Sequence, residues 1–289
     1  MQSLQNEVKE VVERKERKIE RQSGELPRTV FETLLESDLP AEEKSPGRLW
    51  QEALLVIGAG TDTTSNALVL ATFHLLRNSE QLAILRGELE KAMPHPSTPA
   101  KLIALEKLPY LSACIQESLR FNYGISSRLA RISPNEDTKY KEYSIPAGTP
   151  VGMTSVFTHH NEDIFPNSYS FLPERWLGDG GRALDKYMLS FSRGSRACIG
   201  IKWVLRVNSK MSPVFILSSL AKAELYLTLA TLFRRYDMEL FDTVRERDVD
   251  IYYDGFLPQP SPQSKGVRVL FKWWYLRRCS EVRETGESI

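Results

Sequence analysis

Phe191-Ser192-Arg193-Gly194-Ser195-Arg196-Ala197-Cys198-Ile199-Gly200 is the stretch on which the reading of this chain turns. Its one cysteine is flanked by glycines, follows an arginine by two residues and precedes a segment able to start a helix. Exposed amides, the positive end of a helix dipole and a nearby cation all favour thiolate over thiol, and a thiolate can ligate a metal. A cysteine met alone is more often a buried, inert thiol. Composition narrows the setting. The 289 residues carry 38 Lys+Arg against 37 Asp+Glu, a net charge of +1, and are 42% hydrophobic, so the chain can bury a core and lacks the basic excess of a nucleic-acid binder. Cys114, Cys198 and Cys279 lie far apart with no Cys-x-x-Cys, which excludes a disulfide scaffold and a zinc finger and makes a reducing compartment the default.

Working outward, residues 157–198 are rich in Pro, Gly and aromatics, a loop-dominated region of a length usually kept for function. Before it, short apolar runs between Ser126 and Met153 alternate with turns and predict strands. Helices are predicted over Pro109–Phe121, over Glu80–Lys91 and, from the apolar run at Trp50–Leu76, in the core of a soluble body. Gly58 to Asn66 put too many small and polar groups at the centre of that run for a membrane span. Met1–Arg21 holds eleven charged side chains and reads as a solvated surface helix with a thin seam of Leu4, Val8, Val11 and Ile19, not a signal or an anchor. Glu117 and Arg120, at i and i+3, share one helix face, a spacing that in isolation predicts only a surface ion pair.

The pattern Phe-x-x-Gly-x-Arg-x-Cys-x-Gly resembles the haem-binding loop of the cytochrome P-450 superfamily. The resemblance implies a mainly α (α+β) fold with small β subdomains near residues 128–154 and 237–272, and haem b as cofactor. It makes Cys198 the axial ligand of the haem iron, places Phe191 beside cysteine and haem, and pairs Arg196 with a propionate. Gly194 and Gly200 permit the tight turn and close approach of backbone to porphyrin. Ala59-Gly60-Thr61-Asp62-Thr63-Thr64 is similar to the family segment where the long central helix, locally distorted, crosses the distal haem face. There Ala59 and Gly60 leave room for oxygen, and Asp62 and Thr63 relay protons. Glu117-Ser118-Leu119-Arg120 and Pro173-Glu174-Arg175-Trp176 are similar to two further family segments and imply a structural triad of Glu117, Arg120 and Arg175. Arg131, with Arg128 nearly as good, is implied as a second propionate partner, and His159 as a propionate donor.

The stretches Tyr123–Pro134 and Pro146–Ser155 are similar to fungal members of that family grouped with trichodiene oxygenase and benzoate para-hydroxylase. By that likeness the chain is a monooxygenase of fungal secondary metabolism, inserting one oxygen atom from O2 into an apolar small molecule. Its electrons would come from NADPH through a flavoprotein reductase, and nucleic acid is not an expected partner. The resemblance runs over about residues 26–272, behind the charged helix of residues 1–25, and covers the family's C-terminal half. An intact member would lie on the cytosolic face of the endoplasmic reticulum membrane; this chain, with no anchor in view, would be cytoplasmic. Two stretches depart from the pattern. Residues 203–219 interrupt the expected proximal helix and read as a non-native insert, a translated 51-nucleotide intron, and residues 273–289 read as an atypical tail. A catalytically dead fragment that does not retain haem is the alternative.

Overall fold

The computed structural model describes residues 6, 8–13, 30–202 and 220–273. Residues 203–219, the expected insert, and 274–289, nearly all of the expected tail, lie outside the described residues, as do most of residues 1–25. The chain divides into two compact units, Met1–Asp62 and Thr63–Ile289, with the boundary inside one long helix.

In the first unit, α1 (residues 8–13), α2 (Val30–Glu36) and the opening turns of α3 (Pro46–Arg77) share a small apolar cluster. Val8, Val12, Leu49 and Ala53 are buried in it, and Phe31, Leu34 and Leu35 pack against them. Each buried pair is spaced i, i+4, the interval that keeps two side chains on one helix face. This corrects the predicted seam: Val12 replaces Val11, which is only half-buried, while Leu4 and Ile19 lie outside the described residues.

The second unit holds the main core. Ala67, Leu70, Ala71 and Leu75 of α3 meet Leu85 and Leu89 of α4 (Ser79–Ala92), Leu105 of α5 (Leu102–Leu105), Leu111, Cys114 and Ile115 of α6 (Pro109–Asn122), and Leu225, Leu229 and Phe233 of α9 (Leu220–Arg235). By length and composition α3 could cross a membrane; five residues of its second half, Ala67, Leu70, Ala71, Phe73 and Leu75, are instead buried within this unit. Capping decides where the helices begin. Asn78 Oδ1 accepts from the amides of Glu80 and Gln81 at the start of α4. At the start of α6, Pro109 has no amide to satisfy, and Glu88 of α4 accepts from the amides of Tyr110 (2.9 Å) and Leu111 (2.8 Å). Tyr123 (φ 58°) and Gly124 (φ 68°) turn left-handed and end it.

Among the described residues, four two-stranded antiparallel sheets complete the α+β architecture. β1 (Arg131–Ile132) pairs with β4 (Pro150–Val151) and β2 (Thr138–Tyr140) with β3 (Tyr143–Ile145). Likewise β5 (Tyr236–Leu240) pairs with β8 (Val269–Trp273), and β6 (Tyr253–Gly255) with β7 (Leu257–Gln259). Two boundaries move. Tyr236, expected on the α9 stripe with Leu225, Leu229 and Leu232, opens β5 because it stands opposite Trp273 in the antiparallel register with β8. The same pair draws Trp273 into the last strand and out of the tail. Residues 157–198 fold as loop punctuated by α7 (Ser155–His159), α8 (Gly178–Leu184) and single 3-10 turns, two of them Pro173–Trp176 and Gly194–Arg196.

Candidate functional site

The cysteine loop closes on itself. The Cys198 amide donates to the Phe191 carbonyl (2.8 Å), and the turn between them uses two left-handed residues, Ser192 (φ 56°) and Gly194 (φ 74°). Phe191 is half-buried and packs against the main core, while Gly194, Arg196 and Cys198 are exposed. A β-carbon on Gly200 would lie 3.5 Å from Cys198 Sγ, so glycine there leaves the sulfur's flank open. Ile199 beside it is 70% exposed. Cys114 is the opposite case: it sits in the core, where burial pushes its thiol well above the usual range and leaves it inert.

A buried ionic network stands at the root of the loop. Glu117 accepts from Arg120 Nε (2.9 Å) and Nη2 (2.8 Å), Arg175 Nε (3.2 Å), Trp176 Nε1 (2.7 Å) and the Leu172 amide (3.0 Å). Glu117 and Arg120 are fully buried and Arg175 is 9% exposed, so the predicted triad exists and extends to Trp176. Burial of these charges is tolerated because each is paired and hydrogen-bonded. Arg120 also donates to the carbonyls of His159 (2.7 Å) and Ser170 (3.3 Å), and its guanidinium lies 4.4 Å from the ring centre of Phe121.

His159 does not fit the propionate role. Its ring is fully buried, Nε2 accepts from the Leu189 amide (2.9 Å), and Nδ1 therefore carries the proton it donates to the Arg120 carbonyl (2.8 Å). Both nitrogens are spent inside the protein, which leaves none for a ligand. Burial holds its pKa down to about 4, helped by the Arg120 charge and opposed by that carbonyl bond. Its neighbour His160 stacks on Tyr169 (4.0 Å), accepts from the Tyr123 hydroxyl at Nε2 and donates at Nδ1 to Ser168 Oγ, whose own proton goes to Glu162. Burial, then Arg120, keeps its pKa at about 4. His74 stacks on Phe171 (4.7 Å, 4° between planes), and burial first, then Arg245, Arg120 and Arg77, lowers it to about 3. The aromatic and histidine setting of Arg120 had no sequence signal beyond the adjacency of Arg175 and Trp176.

The other predicted residues fall in two places. Ala59, Gly60 and Asp62 lie on an exposed turn of α3 in the first unit, and Thr63, half-buried, opens the second. The helix runs through this segment unbroken, which corrects the predicted local distortion. The Thr63 carbonyl takes a bond from Asn122 Nδ2 (3.0 Å) with no change of helix type, and Asn122 in turn accepts from Asn66 (2.6 Å). Arg131 is exposed on β1, its Nη1 turned back to the Ala130 carbonyl (3.3 Å). Arg128 is exposed, and its charge adds to the serine hydrogen bonds that hold Asp254 below the usual carboxylate range.

The sequence that builds this exposed thiol on a glycine turn and the buried Glu-Arg-Arg network is similar to known proteins. A cytochrome P450 monooxygenase of Ascocoryne sarcoides is 54% identical over 247 residues, covering 85% of this chain and 45% of the relative. An N-acetyltryptophan 6-hydroxylase of Emericella nidulans is 42% identical (84% and 45% covered), and a tryptophan 6-hydroxylase of Fusarium equiseti 42% (83% and 44%). The chain thus spans less than half the length of these relatives. The sequence profile of the family described as Cytochrome P450 matches residues 1–203, which takes in both the α6 network and the cysteine loop. With that match and those identities, the chain belongs to the cytochrome P450 family.

Proposed function

We propose that this chain is the haem-binding part of a monooxygenase that inserts one oxygen atom from O2 into an apolar small molecule, in fungal secondary metabolism. The family implies haem. The donor set suits it: among the described residues no group of three His, Cys, Asp or Glu can hold a metal. A metal held by Cys198, the one exposed cysteine among the described residues, must bring the rest of its ligands with it, as iron in a porphyrin does. This is the observation that carries the reading. When bound, the haem would supply one-electron and O2 chemistry.

The chain's residues do the rest. Cys198 would hold the haem iron through its sulfur, Gly194 and Gly200 would let backbone and cofactor come close, and Phe191 would fill the space beside the sulfur. Arg196 and Arg131, both exposed, would pair with propionates, Arg131 after Nη1 lets go of the Ala130 carbonyl. Asp62 and Thr63 would relay protons, and Ala59 and Gly60 would leave room for oxygen, the roles that the family segment implies. Electrons come from NADPH through a flavoprotein reductase, and the whole protein acts at the endoplasmic reticulum membrane. Residues 203–219 are a non-native insert, a reading supported by the family match stopping at residue 203; transcripts in which codons 203–219 are a regular part of the mature message would remove it.

The deciding experiment is the carbon-monoxide difference spectrum of the dithionite-reduced chain, expressed with haem supplied. A thiolate-type Soret band is expected for the parent and none for Cys198→Ala. Haem uptake with no such band in the parent, or a band that survives Cys198→Ala, defeats the assignment. With a substrate in hand, Asp62→Asn and Thr63→Ala keep the band and lose about 10²–10⁴-fold in turnover.

A further inference from the structure

The cysteine loop is fastened at its upstream end. Ser190 Oγ donates to the Leu119 carbonyl (2.6 Å), and the preceding Leu189 amide donates to His159 Nε2 (2.9 Å). His159 Nδ1 donates in turn to the Arg120 carbonyl (2.8 Å), while Arg120 Nη1 returns a bond to the His159 carbonyl (2.7 Å). Two carbonyls near the C-terminal end of α6 are thereby satisfied from outside the helix, that of Leu119 by Ser190 of the segment leading into the loop and that of Arg120 by the His159 ring of α7. One residue further on, the Phe191 carbonyl receives the Cys198 amide (2.8 Å). Gly124 closes the other side: a β-carbon there would run into the Ser190 carbonyl. The connection from α6 to the thiol therefore passes through Leu189, Ser190 and Phe191, and the ring of His159 is its buried joint.

We propose that His159 is a positioning residue for Cys198, acting through Nε2, which holds the Leu189 amide and so fixes where the loop leaves α6. What the thiol ligates rests on the function proposed above; the clamp itself does not. The ring is suited to this because it offers an acceptor on one side and a donor on the other without charge, in a site already crowded by the Arg120 guanidinium.

The two halves of the ring separate chemically. A glutamine side chain places an amide oxygen near the Nε2 position, and an asparagine places an amide nitrogen near Nδ1. His159→Gln and His159→Asn are compared in the full chain, with Arg234→Gln as a control. That guanidinium is buried and bonds the carbonyls of Met93 and Pro94. Readouts are amide hydrogen exchange over residues 186–198, the alkylation rate of Cys198 followed on its own peptide, and the share of thiolate-type band. In His159→Asn the Leu189 amide loses its acceptor. Exchange and alkylation then rise at least about tenfold, the shift expected from one lost hydrogen bond, and the thiolate share falls. His159→Gln stays near the parent on all three, and Arg234→Gln lowers the melting temperature without moving them. Equal effects of Gln and Asn, or an Asn variant with parental exchange and alkylation, overturn the proposal. If the parent itself retains no haem, the cofactor reading fails, and exchange and alkylation of the apo chain still decide whether the clamp exists.

Discussion

Glu117 shows what a single side chain organises: five donors from Arg120, Leu172, Arg175 and Trp176 converge on its two oxygens. Removing the charge leaves two guanidinium groups without their anion in a dry site. Glu117→Gln is therefore expected to cost about 3–5 kcal/mol in urea unfolding, the penalty for breaking a buried pair. Trp176→Phe removes one indole donor and keeps most of the ring volume, so about 1–2 kcal/mol is expected. A Glu117→Gln cost no larger than that of Trp176→Phe would show that hydrogen bonding, not charge, holds the network. Glu117, Arg120 and Arg175 were legible as a set because their spacing matches family segments. Trp176 and the Leu172 amide were not, since nothing in a linear sequence says which neighbours of a carboxylate face it.

The element that carries most of the site is α6. Its start is capped by Glu88 from α4, its middle holds Glu117 and Arg120, and its end supplies the carbonyls that seat the cysteine loop. Its exit depends on Gly124, with φ at 68° and no room for a side chain against Ser190. Gly148 is the matched comparison, with φ at 81° but nothing within 4 Å of a built β-carbon. Gly148→Ala should cost only the left-handed backbone penalty, about 1–2 kcal/mol, whereas Gly124→Ala adds a clash with backbone and should cost about 1–3 kcal/mol more. Thermal unfolding ranks the two, and equal costs would mean that Ser190 gives way freely. Helix limits were readable to within a few residues from apolar spacing. The end of α9 was not, because Tyr236 follows a strand partner more than thirty residues away.

Across the whole molecule, three of the four histidines, His74, His159 and His160, gather around Arg120 in neutral form. Their folded pKa values, about 3, about 4 and about 4, lie below the unfolded 6.5. Between pH 6.5 and 4 the unfolded chain binds more protons than the folded one, so stability rises with pH across this window. Their contribution is complete above pH 6.5 and is lost as pH falls toward the folded values. Each histidine adds a slope of up to about 1.4 kcal/mol per pH unit. Denaturant midpoints measured from pH 7 to pH 4 should fall steeply, and His74→Phe, which keeps a ring against Phe171, should flatten the fall by about a third. A slope unchanged by that substitution would mean that carboxylates, not this cluster, set the acid limit.

The sequence by itself determined the family, the mainly helical order with small sheets, the glycine-flanked cysteine turn and, through the resemblance, the Glu-Arg-Arg triad. The order and the turn depend on local spacing, apolar residues at helical intervals and glycines that permit a turn, whereas the triad rests on the match of its segments to those of the family. Only the tertiary structure decided what His159 does. Its two ring nitrogens are equivalent in a sequence, and their roles as donor and acceptor are assigned by the Arg120 carbonyl and the Leu189 amide, groups 39 and 30 residues away that only folding brings to the ring.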